Sequence, residues 1–132
     1  MIRSTILSLL LIIPCIRAAA EDTVITHPGV QVASLSADDA KDFFLGRKSN
    51  WPDGSKVVVA IVKDHEGLST LLGKSPSQFV TSWKKLVFTG KGVMPEILDN
   101  ADAVSAFVAK TPGAIGYVDA SKVGGCKAVP VK

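Results

Sequence analysis

The sequence predicts an α/β domain built on an open sheet, and three observations support this class. Residues 57–62 (VVVAIV) are apolar without alternation, which is typical of a strand buried on both faces beneath helices. Residues 114–118 form a second run of this kind. Segments with helical periodicity separate the two runs along the chain, and this alternation favours an open sheet in which both runs are inner strands.

Residues 1–20 have the pattern of a secretory signal peptide. An apolar run at residues 6–13 follows Arg3 and precedes three alanines that end at Ala20, the small residues that a signal peptidase requires. We therefore expect cleavage after Ala20, a mature domain of residues 21–132, and a periplasmic or secreted location. The run is shorter than the roughly 20 apolar residues that cross a bilayer, so no membrane span is expected.

Composition narrows the function classes further. The 132 residues, 47% of them hydrophobic, suffice for one domain. Without residues 1–20 the chain has 13 basic and 12 acidic residues, a net charge of about +1. This balance does not indicate the basic surface that a nucleic-acid-binding protein uses. Bulky residues ahead of Cys15 argue against a lipid anchor, and Cys126 alone cannot form an intramolecular disulfide.

The elements of the first half follow from local signals. Residues 24–26 are β-branched and precede His27-Pro28-Gly29, which predicts a short first strand. Ser36 is placed to cap a helix whose apolar face includes Phe43 and Phe44 and which Gly46 ends. Residues 50–54 (NWPDG) predict a turn before the strand at residues 57–62.

The second half predicts two helices and two strands. Ser75 and Pro76 open a helix with an apolar stripe that includes Trp83. Another helix is expected from Asp99, as its cap, to Lys110, followed by the strand at residues 114–118. Residues 127–131 predict a last strand, and Pro130 favours an edge position.

Several motifs in this order resemble the phosphate-binding periplasmic proteins of ATP-driven phosphate importers, and more closely the small secreted proteins related to them. They cover nearly the whole mature chain and comprise residues 35–46, 51–54, 57–62, 88–92 and 111–118 (TPGAIGYV). The resemblance implies one lobe of the type 2 periplasmic-binding-protein fold, a three-layer lobe with a mixed sheet flanked by helices. A lobe alone is about the size of a typical domain, so we expect the chain to supply one lobe at most. The resembling region corresponds largely to the receptors' second lobe.

The resemblance implies a solute-binding protein for phosphate or a related oxyanion that is linked to import by an ABC transporter. Its partners would be the oxyanion and an ABC permease, or a second copy of the lobe that closes the cleft. A different class also fits, an envelope interaction module that keeps the fold and has lost the ligand. The sequence has no nucleophile elbow, zinc-protease motif, P-loop or dinucleotide fingerprint, so we expect neither an enzyme nor a bound cofactor.

The implied anion site follows the strand at residues 57–62. In such receptors an arginine and small hydroxyl-bearing residues hold the phosphate where a strand leads into a helix. Lys63, Asp64, Gly67, Ser69 and Thr70 match that pattern loosely. A lysine stands where the receptors use arginine, the carboxylate of residue 66 would repel an anion, and the following helix is short. The alternative is a polar turn in which Ser69 or Thr70 caps a helix.

Other residues carry weaker alternatives. Lys91 lies between two glycines and is a second candidate for binding an anion, and the alternative, which the pattern favours, is an exposed lysine in a loop that ends a helix. Trp51 and Trp83 are expected to anchor a turn and the core rather than a ligand. Residues 27, 65 and 126 (two histidines and a cysteine) lack the spacing of metal ligands, so no metal is expected.

Overall fold

The computed structural model describes residues 22–63 and 65–131, so the predicted leader and its cleavage site lie outside the described residues. The described chain forms five strands, four α-helices and one 3₁₀ turn in the order β1 (Asp22–Thr26), α1 (Ala37–Phe44), β2 (Val58–Val62), α2 (Glu66–Leu72), α3 (Pro76–Phe88), β3 (Glu96–Leu98), α4 (Ala101–Lys110), β4 (Ala114–Asp119), the 3₁₀ turn (Ala120–Lys122) and β5 (Lys127–Val129). Within this part of the chain, none of the helices has the length and apolar character needed to span a membrane.

The strands form one mixed sheet in the order β3-β2-β4-β1-β5. Strand β2 runs parallel to both β3 and β4, whereas β1 is antiparallel to β4 and β5. Strands β2 and β4 are therefore inner strands, as predicted. Side chains of β2 alternate between two separate cores, with Val59 and Ile61 on one face of the sheet and Ala60 on the other.

Helices cover both faces of the sheet. Phe44 of α1, Leu68 of α2 and Phe79 of α3 share one core with β2 and β4. Val104 and Val108 of α4 form the core of the opposite face with Ile25, Ala114 and Val118 of the sheet. The predicted class, a three-layer lobe with a mixed sheet flanked by helices, is confirmed.

Most helix ends lie where the capping residues predict. The Ser36 hydroxyl accepts a hydrogen bond from the Asp39 N–H at 3.0 Å, and Gly46 adopts a φ of 76° beyond the end of α1. Ser75 and Gln78 form a reciprocal capping box at the start of α3. These local hydrogen bonds explain why the sequence specifies α1 and α3 so clearly.

Two predicted boundaries and one missed strand are corrected by the structure. The cap of α4 is Asn100 rather than Asp99, because the Asn100 side chain accepts the Ala103 N–H at 2.8 Å. Strand β5 ends at Val129, since Pro130 has no N–H to donate to the ladder, and it lies at the predicted edge. Strand β3 was not predicted, because three residues are too few to show a period.

Both tryptophans anchor the fold, as predicted. The Trp51 indole donates from Nε1 to the Gly113 carbonyl at 2.8 Å and packs against Phe43. The Trp83 indole donates from Nε1 to the Phe44 carbonyl at 2.8 Å. Each indole therefore joins a helix or turn to a distant segment through a hydrogen bond, which is partly buried for Trp51 and buried for Trp83.

Candidate functional site

The predicted site lies at the carboxyl end of β2. Ligands of open α/β sheets bind beyond the carboxyl ends of parallel strands, and β2 is parallel to both of its neighbours. Lys63 directly follows β2, its side chain is exposed, and its backbone N–H donates to the Leu98 carbonyl at 2.8 Å. Asp64, the next predicted site residue, lies outside the described residues. The fold thus places a cation where its parallel strands favour a ligand.

His65 is the N-cap of helix α2, a role that the sequence did not identify. The His65 ring accepts the Leu68 N–H at Nδ1, over 2.9 Å. The interpretation of Ser69 or Thr70 as a helix cap is therefore wrong, because both residues lie within α2. Since Nδ1 accepts a hydrogen bond, a neutral ring carries its proton on Nε2.

A carboxylate of the protein lies beside the first turn of α2. The Asp22 Oδ1 atom is 3.4 Å from Nε2 of His65. A Cβ atom added at Gly67 would collide with this same carboxylate, so Gly67 leaves the space that Asp22 occupies. An oxyanion approaching Gly67 would therefore meet a negative charge, which confines a favourable anion contact to the other side of the helix.

Tyr117 on β4 completes this cluster. Its ring meets the His65 ring edge to face, with 5.6 Å between the centroids. Burial raises the pKa of the Tyr117 phenol, and the negative charge of Asp22 raises it further. Asp22 and Tyr117 therefore both contact His65, and these contacts tie β1 and β4 to the start of α2.

The two predicted hydroxyls have different surroundings. Ser69 is half-buried and lines a cavity that Lys63 also lines. The Thr70 hydroxyl is exposed and donates to the Glu66 carbonyl within its own helix at 3.0 Å. Lys63 and Ser69 are thus brought together, whereas Thr70 does not line that cavity.

This cavity, which we call the α2–α3 cavity, has a volume of about 460 Å³ and is bordered by β2, β3, α2 and α3. Its apolar lining includes Ile61, Leu68, Leu72, Phe79, Val80 and Ile97. Its polar lining includes Lys63, His65, Ser69, Lys74, Thr81 and Lys84.

The described residues that line the α2–α3 cavity carry charge of one sign. Three lysines line it, and its described lining residues include no carboxylate. Within residues 22–63 and 65–131, none of these lysines forms an ion pair. The cavity therefore favours a negatively charged ligand.

Lys74 and Lys84 were not predicted as site residues. Lys74 follows the short helix α2, where no motif marks it. Lys84 lies seven residues after Ser77 on α3, and Val80 and Thr81 lie between them at helical spacing. That spacing places the four residues on one helix face, a signal that could have identified Lys84.

Lys91, the second anion candidate, lies elsewhere. It lines another cavity, of about 350 Å³, together with Lys48 and Lys56. Lys56 precedes β2, so this cavity lies at the amino end of that strand. The position is less favourable for a ligand than the carboxyl end, and the Lys48 ammonium is already paired with Asp39 at 2.5 Å.

The remaining histidine and cysteine make local hydrogen bonds. The His27 ring accepts the Gly29 N–H at 3.0 Å. The Cys126 thiol donates to the Ser105 carbonyl at 3.0 Å, and burial raises its pKa. A raised pKa lowers the thiolate fraction at neutral pH, so Cys126 lacks the character of a reactive nucleophile.

Comparison with known proteins gives structural matches only. No family model and no curated protein matches the sequence. One similar solved structure is a candidate phosphate ABC transporter substrate-binding protein from Clostridium perfringens with bound phosphate, with a TM-score of 0.66 and 24% identity over 83% of this chain and 44% of that chain. An ABC-type phosphate transport receptor from Vibrio cholerae has a TM-score of 0.56 and 13% identity over 82% of this chain and 44% of that chain. PstS from Borrelia burgdorferi has a TM-score of 0.56 and 17% identity over 84% of this chain and 47% of that chain.

The chain spans less than half the length of each of these receptors. At these identities the likeness concerns the fold, and it confirms the architecture implied by the motifs at residues 35–46 and 111–118. The described chain has the fold of a single lobe of the periplasmic-binding-protein type, similar to part of the phosphate receptors of ABC importers.

Proposed function

We propose that this chain is a secreted, non-enzymatic protein of the solute-binding type that binds phosphate or a related oxyanion and serves an ABC importer. The observation that carries the proposal is the α2–α3 cavity, where Lys63 and Ser69 lie at the carboxyl end of β2 with no described carboxylate in the lining. The fold, which is shared with receptors for phosphate, supports the same class of ligand.

Lys63 and Ser69 have complementary parts in this proposal. The Lys63 ammonium supplies charge, and the Ser69 hydroxyl donates a hydrogen bond to an anion oxygen. Of the other predicted site residues, Gly67 leaves room for the Asp22 carboxylate, which would exclude a second anion beside it. Asp64 and Thr70 have no part in the contact that we propose.

The affinity should be low. A lysine is a point charge without the two-pronged geometry of arginine, and an ion pair in contact with water contributes only about 0–1 kcal/mol. With one lobe, the anion remains partly in water. We expect a Kd in the millimolar range, equivalent to about 4 kcal/mol, unless a second copy of the lobe closes over the ligand.

Calorimetric titration with inorganic phosphate and sulfate tests this site. We expect the double variant Lys63→Ala, Ser69→Ala to lose the heat of binding, because it removes both the charge and the hydroxyl. Its melting temperature should change little, since Lys63 is exposed and Ser69 is half-buried.

Two variants serve as matched controls. Thr70→Ala removes a hydroxyl one residue away that does not line the cavity, and Lys91→Ala removes a lysine from the other cavity. Both should bind phosphate like the parent protein. Unchanged binding by the double variant, or loss of binding in Lys91→Ala, would contradict the proposed site. Submicromolar binding by a monomer would contradict the argument from a single lobe.

We also propose that the protein is exported and that its mature form begins at Glu21. Ala18, Ala19 and Ala20 supply the small residues of a signal-peptidase site behind an apolar run. Mass spectrometry of the envelope fraction of expressing cells should therefore find residues 21–132. An intact Met1, or a lipid on Cys15, would contradict export by this route.

A second candidate function is the envelope interaction module. It is favoured by exposed apolar residues at and just after the end of α3, where Phe88 is 93% exposed and Val93 is 75% exposed. Exposed apolar groups of this kind are typical of surfaces that meet a partner. If the folded protein gives no heat of binding with phosphate or sulfate, this result would favour the interaction module over the solute-binding function.

A further inference from the structure

We propose that the α2–α3 cavity binds an organic oxyanion with an apolar body, such as a phosphate monoester of a short alkyl chain. This inference rests on the proposed function, because it takes the anionic head to bind near Lys63 and Ser69. It goes beyond that function in assigning the rest of the cavity to a hydrocarbon group of the same ligand.

The volume of the cavity is the first argument. Its 460 Å³ lies within the range of about 300–1,000 Å³ that is typical of sites for small organic molecules. An inorganic oxyanion would fill only a small part of this space.

The chemistry of the lining is the second argument. Leu68, Leu72 and Phe79 are buried in the core and present apolar surface to the cavity. Ile97, on the edge strand β3, is 40% exposed and lines the same cavity. A bare oxyanion gains nothing from these groups, whereas an alkyl chain would pack against them and would remove its own surface and the exposed part of Ile97 from water.

The distribution of charge is the third argument. Lys63, Lys74 and Lys84 come from three separate segments, the end of β2, the end of α2 and the middle of α3. Each lysine therefore reaches the border of the apolar lining from a different segment of the fold. A ligand with one anionic head and a hydrocarbon body matches this arrangement, because each lysine is a flexible point charge at the border of apolar surface.

Titration of the protein purified from the envelope of expressing cells tests the inference, with octyl phosphate, butyl phosphate, octanol and inorganic phosphate as separate probes. Full burial of a methylene strengthens binding by about fourfold, so octyl phosphate should bind at least about tenfold more tightly than butyl phosphate even if its chain is only partly covered. Octanol lacks the head group and should bind more weakly than octyl phosphate.

Matched variants locate the ligand. Lys84→Glu reverses a charge in the lining and should lower the affinity for octyl phosphate by about threefold or more. Lys85→Glu reverses the neighbouring charge, which lies outside the lining, and should lower this affinity less. Ile97→Ser should lower the affinity for octyl phosphate and leave the affinity for inorganic phosphate unchanged. Val87→Ser, on an exposed residue of α3 outside the lining, controls for the change in surface.

The outcomes separate this inference from the proposed function. If inorganic phosphate binds as tightly as octyl phosphate, the proposal of an organic ligand is contradicted and the proposed oxyanion-binding function is supported. If octyl phosphate binds at this cavity and inorganic phosphate gives no heat, the apolar body is supported and the role as a carrier of free phosphate is wrong. If neither binds to the folded protein, both are wrong. Sedimentation with phosphatidic acid vesicles, without binding of octyl phosphate, would also overturn the inference in favour of a membrane surface.

Discussion

The Trp83→Ala variant is expected to lose about 3–5 kcal/mol of the free energy of unfolding, the range typical of a buried aromatic residue replaced by alanine. The Trp83 side chain is 5% exposed and belongs to the core between the sheet and helices α1, α2 and α3. Its Nε1–H also donates to the Phe44 carbonyl at 2.8 Å, so the variant leaves both a cavity and an unpaired buried carbonyl. Thermal or urea unfolding, followed by circular dichroism, measures the loss.

Two controls separate packing from the hydrogen bond. Trp83→Phe keeps an aromatic ring and removes the N–H donor, so its loss should be clearly smaller than that of Trp83→Ala. Phe88→Ala removes an aromatic ring of α3 that is 93% exposed and should stay within about 0.5 kcal/mol of the parent. A loss below about 1 kcal/mol in Trp83→Ala would contradict the role of this residue as a core anchor.

The second large effect is expected at Gly113, in the turn that precedes β4. Gly113 has a φ of 78°, and an added Cβ would collide with the backbone carbonyl oxygen of Lys56. The Gly113 carbonyl also accepts hydrogen bonds from the Trp51 indole at 2.8 Å and from the Val58 N–H at 3.1 Å. Gly113→Ala should therefore cost about 2–5 kcal/mol, from backbone strain together with displacement of this turn.

Gly90→Ala is the matched control for Gly113→Ala. Gly90 has a similar φ of 74°, but a Cβ added there meets no atom within 4 Å. Its loss should reflect strain alone, about 1–2 kcal/mol. Equal losses in the two variants would show that the collision with Lys56 is relieved without cost, contrary to our expectation. The difference between them isolates the close approach to Lys56 that explains Gly113, the first of the two glycines in the TPGAIGYV segment.

Local signals predicted much of the fold because they act within a few residues. The capping groups of Ser36 and Ser75 satisfy backbone N–H groups three residues away, so their effect is visible in the sequence itself. Apolar runs without alternation identified β2 and β4 as inner strands, since both faces of such strands are buried. The cap of α4 differed by one residue because Asp99 and Asn100 are both good capping residues.

The candidate site was predicted only in part. Its location after β2 followed from the strand and from the residues that resemble a phosphate site. In the structure, however, Ser69 faces the cavity and Thr70 faces solvent, and these directions depend on where α2 begins. His65 determines that start, because its side chain accepts a hydrogen bond from the Leu68 N–H. Histidine is not among the residues that usually cap helices, so the sequence pointed to the hydroxyl-bearing residues instead.

The sequence by itself determined the α/β class, the inner strands and the capped helices α1 and α3, because hydrophobic periodicity and capping are properties of neighbouring residues. Only the tertiary structure decided that Asp22 lies against Gly67, that β3 pairs with the edge of β2, and that Lys63, Lys74 and Lys84 line one apolar cavity. Those contacts join residues far apart in the chain, and they arise when α2 and α3 pack on the sheet to bury their apolar faces.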